Sequence, residues 1–258
     1  MRVMFLLNLI GRYTLNFSAR IGGFFLFILE IFKSLFSRQF FLKEVLKQCA
    51  EIGYYSLPVI GLTALFTGAV LALQTYLGFS RLSAEGAVAS VVAISITREL
   101  GPVLGGLMLT GRISSSIASE LSSMKISDQV NALYTLGVDP IKYLVIPRVI
   151  AGMLMTPLLI LVADSIGIMG GCIVATQKLG FSTLSYIEDT YSFIQMSDVI
   201  SGLIKAVIFG AILTSMGCYC GMNALGGAKS VGNATISAVV NSSMLILLFN
   251  YITTALMF

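Results

Sequence analysis

Residues 95–148 decide the fold, and they read SITRELGPVLGGLMLTGRISSSIASELSSMKISDQVNALYTLGVDPIKYLVIPR. The apolar run 86–111 has 26 positions, and Arg98 and Glu99, at the thirteenth and fourteenth, are its only charges. An ionised side chain at the centre of a membrane helix costs roughly 2.5–3.5 kcal/mol on insertion scales, so it faces protein or water rather than lipid. We therefore expect this stretch to hold both a membrane helix and the functional site.

The composition is that of a membrane protein. The 258 residues are 57% hydrophobic and 11% charged, with a mean hydropathy of +0.93, whereas soluble domains have about 25% charged residues. Segments of about 20 apolar residues cross a bilayer as helices, whose backbone polar groups bond within the segment. We predict an all-α polytopic membrane protein with five spanning helices, at residues 55–77, 86–111, 143–175, 199–221 and 234–256.

The basic residues predict the orientation of the chain. If the N-terminus is cytoplasmic, only Arg81 and Lys178 lie outside the spans on the opposite side. Cytoplasmic segments carry an excess of lysine and arginine, so we predict a cytoplasmic N-terminus and a C-terminus on the opposite face. The basic residues on the cytoplasmic side are then Arg2, Arg12, Arg20, Lys33, Arg38, Lys43, Lys47, Arg112, Lys125, Lys142, Arg148 and Lys229.

Residues 1–50 are predicted to form an N-terminal interfacial region, separate from a five-helix domain at 51–258. Residues 21–36 are apolar but interrupted by Glu30 and Lys33, and short aromatic-rich segments with basic flanks lie in the headgroup layer. The first 20 residues hold three arginines and no acid, which is also typical of organellar transit peptides. A bacterial and an organellar membrane therefore both stay open.

Several function classes are disfavoured. The chain has no histidine, the commonest general base and metal ligand. Its cysteines lack the spacing of a metal site, so we expect no metal, no bound cofactor and no nucleic-acid partner. The cysteines, predicted to be small packing residues, are Cys49, Cys172, Cys218 and Cys220.

The charges inside the spans form the first candidate site. Pro102 has no amide hydrogen, so the carbonyl of Arg98 loses its helical donor. Adjacent residues on a helix point about 100° apart, so Arg98 and Glu99 each need a partner on another helix. Lys205 and Asp164 are charged residues in other spans and are therefore the candidate partners. Two interpretations remain open: buried pairs that fix helix register, or the polar lining of a cavity for a charged or amphipathic substrate.

Pairs of glycines four residues apart predict close helix packing. Such pairs form contacts within one subunit or a seam between two copies, and the sequence leaves both possible. The pairs are Gly101 and Gly105, Gly167 and Gly171, and Gly217 and Gly221.

The polar segment 112–142 forms the second candidate site. We predict that Ser127 caps a short helix that begins at Asp128, with an apolar face and a stop at Gly137 before Pro140. A helix of this kind either docks a partner protein or lies on the bilayer. The residues of the predicted apolar face are Val130, Leu133 and Tyr134.

These residues resemble the MlaE permease family, the membrane subunits of ABC-type lipid transporters that work with MCE-domain proteins. The resemblance covers nearly the whole chain. Its central motif consists of Arg98-Glu99-Leu100-Gly101-Pro102-Val103, Gly111-Arg112, Ala118-Ser119-Glu120, Met124, Asp128-Gln129, Ala132-Leu133, Gly137-Val138-Asp139-Pro140, Pro147-Arg148 and Ala151-Gly152.

The resemblance implies a homodimer in the inner membrane, with two cytoplasmic ATPase subunits that bind the ATP and a hexameric MCE-domain protein on the periplasmic side. It implies phospholipid movement between the inner membrane and the route to the outer membrane. By resemblance, Arg98, Glu99 and Lys205 bind the substrate in a lipid cavity. We expect Asp164 and Gln74 either to line that cavity or to set helix register. The segment at about 120–137 matches the helix that couples to the ATPase, through Glu120, Met124, Asp128, Gln129, Leu133, Gly137 and Asp139.

Two rival functions use the same residues. In an ion-coupled carrier or channel, the four charges Arg98, Glu99, Asp164 and Lys205 form an ion relay. In a scaffold that only anchors partners, neutralising these charges has no effect on function.

Overall fold

The computed structural model describes residues 2–35 and 41–257, and the regular structure within them is helical. Residues 36–40, with Arg38 of the predicted N-terminal region, lie outside the described residues. The α-helices are α1 (Arg2–Leu35), α2 (Leu42–Tyr54), α3 (Leu57–Phe79), α4 (Val88–Ser95), α5 (Gly101–Leu109), α6 (Ser115–Ile126), α7 (Gln129–Thr135), α8 (Ile146–Lys178), α9 (Thr183–Phe193), α10 (Met196–Met222) and α11 (Ala228–Met257). Turns of π-helix lie at Ile96–Leu100, Thr110–Ser114 and Ile141–Val145.

Five stretches of the described residues are long and apolar enough to cross a membrane, which confirms the predicted all-α polytopic fold. Four stretches each contain one predicted span and extend beyond it at both ends, whereas the second stretch begins at Val88, two residues after the predicted start at 86. The stretches are Leu42–Phe79, Val88–Ile126, Ile141–Lys178, Met196–Met222 and Ala228–Met257.

The helix that contains the second predicted span continues as a rod beyond residue 111, to Ile126. Its serines do not stop the helix, since their hydroxyls donate to carbonyls three or four residues back. Ser115 does so to Gly111, and Ser122 to Ser119. The rod Val88–Ile126 has 39 residues and is about 58 Å long at 1.5 Å per residue, so it projects beyond a hydrocarbon core of about 30 Å.

The first π-helical turn lies in this rod, directly before Pro102. The amide of Gly101 donates to the carbonyl of Ile96, five residues back instead of four. Single π-helical turns inside α-helices often mark functional sites. Here the turn carries both Arg98 and Glu99.

Glycines set the closest helix contacts, and they do so within the chain. Between α3 and α8, a Cβ on Gly68 would overlap the backbone of Gly167. Between α6 and α10, Gly217 lies against Ser114 and Gly221 against Ala118. All the glycines of the predicted pairs face neighbours in their own subunit, which favours packing within one copy over a seam between copies. These glycines are Gly101, Gly105, Gly167, Gly171, Gly217 and Gly221.

The first two helices lie against the main bundle. Phe24 and Phe27 of α1 make ring contacts of 5.4 and 5.6 Å between centroids with Tyr219 of α10, and α2 packs along α8. Helix α1 is not among the five spanning stretches. The interfacial location of α1 and the domain boundary at residue 50 stay predictions.

Helix α9 fills the connection between α8 and α10. It packs against α4 and α8 through Tyr186, which is buried with Ala89 and Ala175. Burial raises the pKa of the Tyr186 hydroxyl to about 12, so this side chain remains neutral over the range of pH in which proteins are studied.

Candidate functional site

The Glu99 carboxylate is the centre of the candidate site. Its Oε1 lies 2.7 Å from the ammonium of Lys205 in α10. Two side chains of α11 donate to the same carboxylate: Thr254 to Oε1 at 3.0 Å and Asn250 to Oε2 at 3.2 Å. Three membrane-spanning stretches therefore meet at one carboxylate.

Lys205 is the buried cation of the site and bonds to two groups of the rod. Its side chain is fully buried, and its ammonium also donates to the backbone carbonyl of Arg98 at 3.0 Å. This carbonyl is the one that Pro102 deprives of a helical donor, as predicted. An ammonium has three donors and no acceptor, and here two of its donors bond to the first π-helical turn.

Arg98 reaches in a different direction from Glu99. Its Nη1 lies 4.0 Å from Oδ1 of Asp198, which is in the first turn of α10. The backbone amide of Gln195 donates to Oδ2 of Asp198 at 3.3 Å, so this carboxylate also closes the N-terminus of α10 as part of a capping box. The two adjacent charges of residues 98 and 99 thus have separate partners on other elements, as predicted.

The three charged residues of the site differ in accessibility. The Glu99 and Arg98 side chains are 35% and 31% exposed, whereas Lys205 is 0% exposed. The Arg98 and Glu99 side chains are therefore accessible from outside the chain, whereas Lys205 contacts Glu99 from the interior. The role of these residues in binding substrate stays a prediction.

Asp164 lies apart from this network. It is buried in α8 with its Oδ1 against Gly101, and no hydrogen-bond partner of Oδ1 is present among the described residues. Beside it, an apolar cavity of about 90 Å³ lies between α3, α8 and the rod. Leu100, next to Glu99, lines this cavity, as does Gly101. Gln74 is exposed on α3 and is not brought to either place.

Metal binding has no structural support within the described ranges. No three side chains of the His, Cys, Asp and Glu types come together there as a metal site. The candidate site is instead one of hydrogen bonds and paired charges.

The second candidate site begins one residue later than predicted. Ser127 ends α6, with its hydroxyl donating to the carbonyl of Ser123 at 2.8 Å. The cap of α7 is Asp128, at a left-handed φ of 59°. The predicted capping role of Ser127 is therefore wrong, because Ser127 is the C-terminal cap of α6 and Asp128 occupies the N-cap position of α7.

The C-terminal stop of α7 at Gly137 is as predicted. Gly137 has φ +74°, and its amide bonds to the carbonyl of Tyr134, while the amide of Val138 bonds to that of Leu133. These two bonds form a Schellman motif, which requires the left-handed residue that glycine tolerates. Asp139 then accepts from the amide of Ile141 at 3.0 Å, so Gly137 and Asp139 both shape the backbone of this segment.

The predicted apolar face of α7 is divided between two directions. Val130 is buried and Leu133 packs against the main hydrophobic cluster, as does Met124 of α6. Tyr134 and Leu136 are exposed, at 58% and 76%. The outward surface of this segment is therefore made by Tyr134 and Leu136 rather than by Leu133, with Asp128 and Gln129 also exposed.

Glu120 of α6 pairs with Arg148 of α8. The distance from Arg148 Nη2 to Glu120 Oε1 is 2.8 Å, and Arg148 Nη1 donates to the carbonyl of Leu144 at 2.7 Å. Arg148 is 5% exposed and Glu120 is 47% exposed. Here again a buried cation meets a half-exposed glutamate.

Comparison with known proteins places the chain in a family. The sequence profile described as Permease MlaE matches residues 45–256. The chain belongs to the MlaE permease family. It is 51% identical to a probable ABC transporter permease protein of Rickettsia typhi, over 97% of each chain.

Two further relatives extend the MlaE-family comparison. The intermembrane phospholipid transport system permease protein MlaE of Haemophilus influenzae is 33% identical over 98% of this chain and 97% of its own length. The chloroplastic protein TRIGALACTOSYLDIACYLGLYCEROL 1 of Arabidopsis thaliana is 34% identical over 84% of this chain and 62% of its own length. This chain is thus a permease subunit of the MlaE family.

In this MlaE-family chain, the structure brings together Arg98, Glu99 and Lys205 and leaves Asp164 and Gln74 outside their network. The sequence analysis named Lys205 but missed the two α11 donors to the central carboxylate and the acidic partner of the guanidinium. Asn250 and Thr254 are uncharged polar residues in an apolar span, and the sequence does not distinguish them from the many serines and threonines around them. The missed residues are Asn250, Thr254 and Asp198.

Proposed function

We propose that this chain moves phospholipid between the inner membrane and the periplasmic route to the outer membrane. In this proposal it works as a homodimer, with a cytoplasmic ATPase subunit that binds and hydrolyses ATP and an MCE-domain protein on the periplasmic side. The N-terminus and α7 are cytoplasmic, in line with the distribution of basic residues.

The partly exposed Arg98 and Glu99, at the centre of the predicted span 86–111, carry this proposal. A phospholipid has an anionic phosphate that a guanidinium binds through charge-assisted hydrogen bonds. Glu99 accepts from an amine or hydroxyl of the headgroup, and the network of Lys205, Asn250 and Thr254 holds it in place. The adjoining apolar cavity suits hydrocarbon and not a hydrated ion.

The test is lipid transfer by the reconstituted complex between labelled donor and acceptor vesicles. We expect Glu99→Ala and Arg98→Ala each to reduce transfer by at least tenfold while the complex still assembles, because each removes a group that touches the headgroup. Glu51→Ala is the matched control, since Glu51 is exposed on α2. Normal transfer in both variants would contradict the proposal.

We propose that the ATPase docks on the surface formed by Tyr134 and Leu136. Leu136→Glu should reduce co-purification of the ATPase and the hydrolysis that the permease stimulates, because it places a charge at an apolar contact. Leu184→Glu on α9 is the control, because Leu184 is exposed to nearly the same degree, 74% against 76%. Unchanged co-purification of Leu136→Glu would place the docking surface elsewhere.

An ion-coupled carrier or channel is the second candidate, and the observation that favours it is the buried Asp164, whose Oδ1 has no hydrogen-bond partner among the described residues. The purified chain alone in liposomes under an ion gradient separates the two functions. Ion-driven transport by the chain alone, abolished by Asp164→Asn, would support the carrier. Transfer that requires the ATPase supports the permease.

A further inference from the structure

The ion pair between Glu120 and Arg148 bridges two elements that the chain separates by α7. Glu120 is in α6, before the proposed docking segment, and Arg148 is in the first turn of α8, after it. The pair therefore closes a loop whose outer part is the surface of Tyr134 and Leu136. A force applied to α7 reaches the bundle through the two ends of this loop and through Val130 and Leu133, which pack on the main hydrophobic cluster.

The two ends of the loop are attached in different ways. Helix α6 packs closely on α10, where Gly217 and Gly221 let the backbones approach. The start of α8 follows the π-helical turn Ile141–Val145, and Arg148 donates back to Leu144 in this turn. The bond from Glu120 thus fastens α6 to the point where α8 changes its helical form.

The burial of the pair is uneven. Arg148 is buried and its Nε has no hydrogen-bond partner among the described residues, so loss of the glutamate leaves a buried cation with the Leu144 carbonyl as its described partner. Glu120 is half-exposed and loses less when the cation is removed. A movement of α6 away from α8 is therefore opposed at Arg148, and α8 is favoured to follow.

We propose that Glu120 is a positioning residue that makes α8 move with α6 and α7, so that hydrolysis in the docked ATPase is converted into lipid movement at Glu99. Helix α8 contacts both α3 and α10, and α10 carries Lys205. This role rests on the proposed function, and it differs from direct contact of Glu120 with the ATPase.

The experiment measures lipid transferred per ATP hydrolysed by the complete reconstituted complex. Glu120→Gln and Arg148→Met each remove one charge at similar volume, and the control is Glu51→Gln on α2. We expect each single variant to lower the ratio about five- to tenfold, the usual size of a coupling between sites. The double variant should show the same loss as either single variant, because residues that act through one contact are not additive.

Four results would overturn the proposal. An unchanged ratio of lipid transferred to ATP hydrolysed in Glu120→Gln would mean that the pair is purely structural. Additive losses in the double variant would mean that the two residues act independently. Loss of ATPase co-purification in Glu120→Gln would place Glu120 in the docking contact itself. Glu120→Asp, which keeps the charge, should retain most of the ratio even if Arg148→Met fails to fold, and equal losses in Glu120→Asp and Glu120→Gln would also contradict it. If the wild-type complex hydrolyses ATP but transfers no lipid, the proposed function fails instead.

Discussion

The mid-membrane site and the α7 end of the bundle use the same ion-pair design. Lys205 and Arg148 are the buried members, and Glu99 and Glu120 are half-exposed. Both cations also donate to a backbone carbonyl, and each carbonyl belongs to a π-helical turn. A change from α to π bonding leaves carbonyls without regular donors, and a buried ammonium or guanidinium can bond to them while a carboxylate cannot.

The two pairs differ in the support of the glutamate. Asn250 and Thr254 of α11 also donate to Glu99, whereas Glu120 has the Arg148 guanidinium as its partner. In a hydrocarbon environment each lone pair needs a protein donor, and at the water-facing end solvent supplies the rest. In both regions the cation anchors the backbone, while the glutamate remains accessible for contact with another molecule.

The largest effect is expected from Lys205→Met, which removes the buried cation and leaves the Arg98 carbonyl and Glu99 without it. Removal of one partner of a buried pair costs about 3–5 kcal/mol, and screening of the half-exposed Glu99 lowers our expectation to about 2–3 kcal/mol. Thermal unfolding of the purified permease measures the loss, with Lys178→Met at the exposed end of α8 as the control. Equal stability of the two variants would end the parallel with Arg148.

Neutralising Glu99 as well as Lys205 should recover part of the stability that Lys205→Met loses. Adding Glu99→Gln to Lys205→Met removes the unpaired carboxylate, so the double variant should be about 1–2 kcal/mol more stable than Lys205→Met alone. Lipid transfer should not recover, because the headgroup contact of Glu99 is gone. A double variant less stable than the single one would show that Glu99 is held by Asn250 and Thr254 and not by the lysine.

Salt concentration should affect the stability contributed by the two ion pairs differently. Raising the salt from about 0.1 M to about 1 M shortens the screening length from about 10 Å to about 3 Å. The destabilisation caused by Glu120→Gln should then shrink by about half, while that caused by Lys205→Met should stay the same. Unfolding midpoints in both salts test this, and an equal response of the two variants would contradict the assignment of one pair to water and the other to the membrane interior.

The smallest effect is expected from Gly137→Ala at the end of α7. A non-glycine residue at φ +74° costs about 1 kcal/mol. Gly232 in α11 has open space at its Cβ position, so Gly232→Ala should instead stabilise the chain by about 0.5–1 kcal/mol. Both are measured by thermal unfolding, and the same sign for both would mean that φ at residue 137 is not strained for alanine.

The sequence contained most of the fold because hydrocarbon leaves few options for a long uncharged run. It also indicated the partner of Glu99, since Arg98 and Glu99 cannot share one direction on a helix and Lys205 is a charge within another span. It did not indicate Asn250 and Thr254 as further partners of Glu99. Before the helices are packed, nothing distinguishes these two residues from the serines and threonines that bond back to their own helix.

The continuation of the helix after the second span was missed for a related reason. A segment rich in serine has the composition of a loop, but here the hydroxyls bond within the helix, as Ser122 does to Ser119. The small side chains also fit the close contacts at Gly217 and Gly221. Only the packed neighbours show that this segment is helical, so composition alone did not indicate that the helix continues beyond residue 111 to Ile126.

Pro102 shows how a missing atom can define a binding partner. It carries no charge and donates no hydrogen bond, yet the oxygen it leaves unclaimed one turn earlier is where the lysine of α10 docks. Pro102→Ala would look like a repair of the helix, since it restores an amide hydrogen to the rod. That hydrogen would compete with the ammonium for a single oxygen, so a more regular helix would be a weaker anchor for its neighbour.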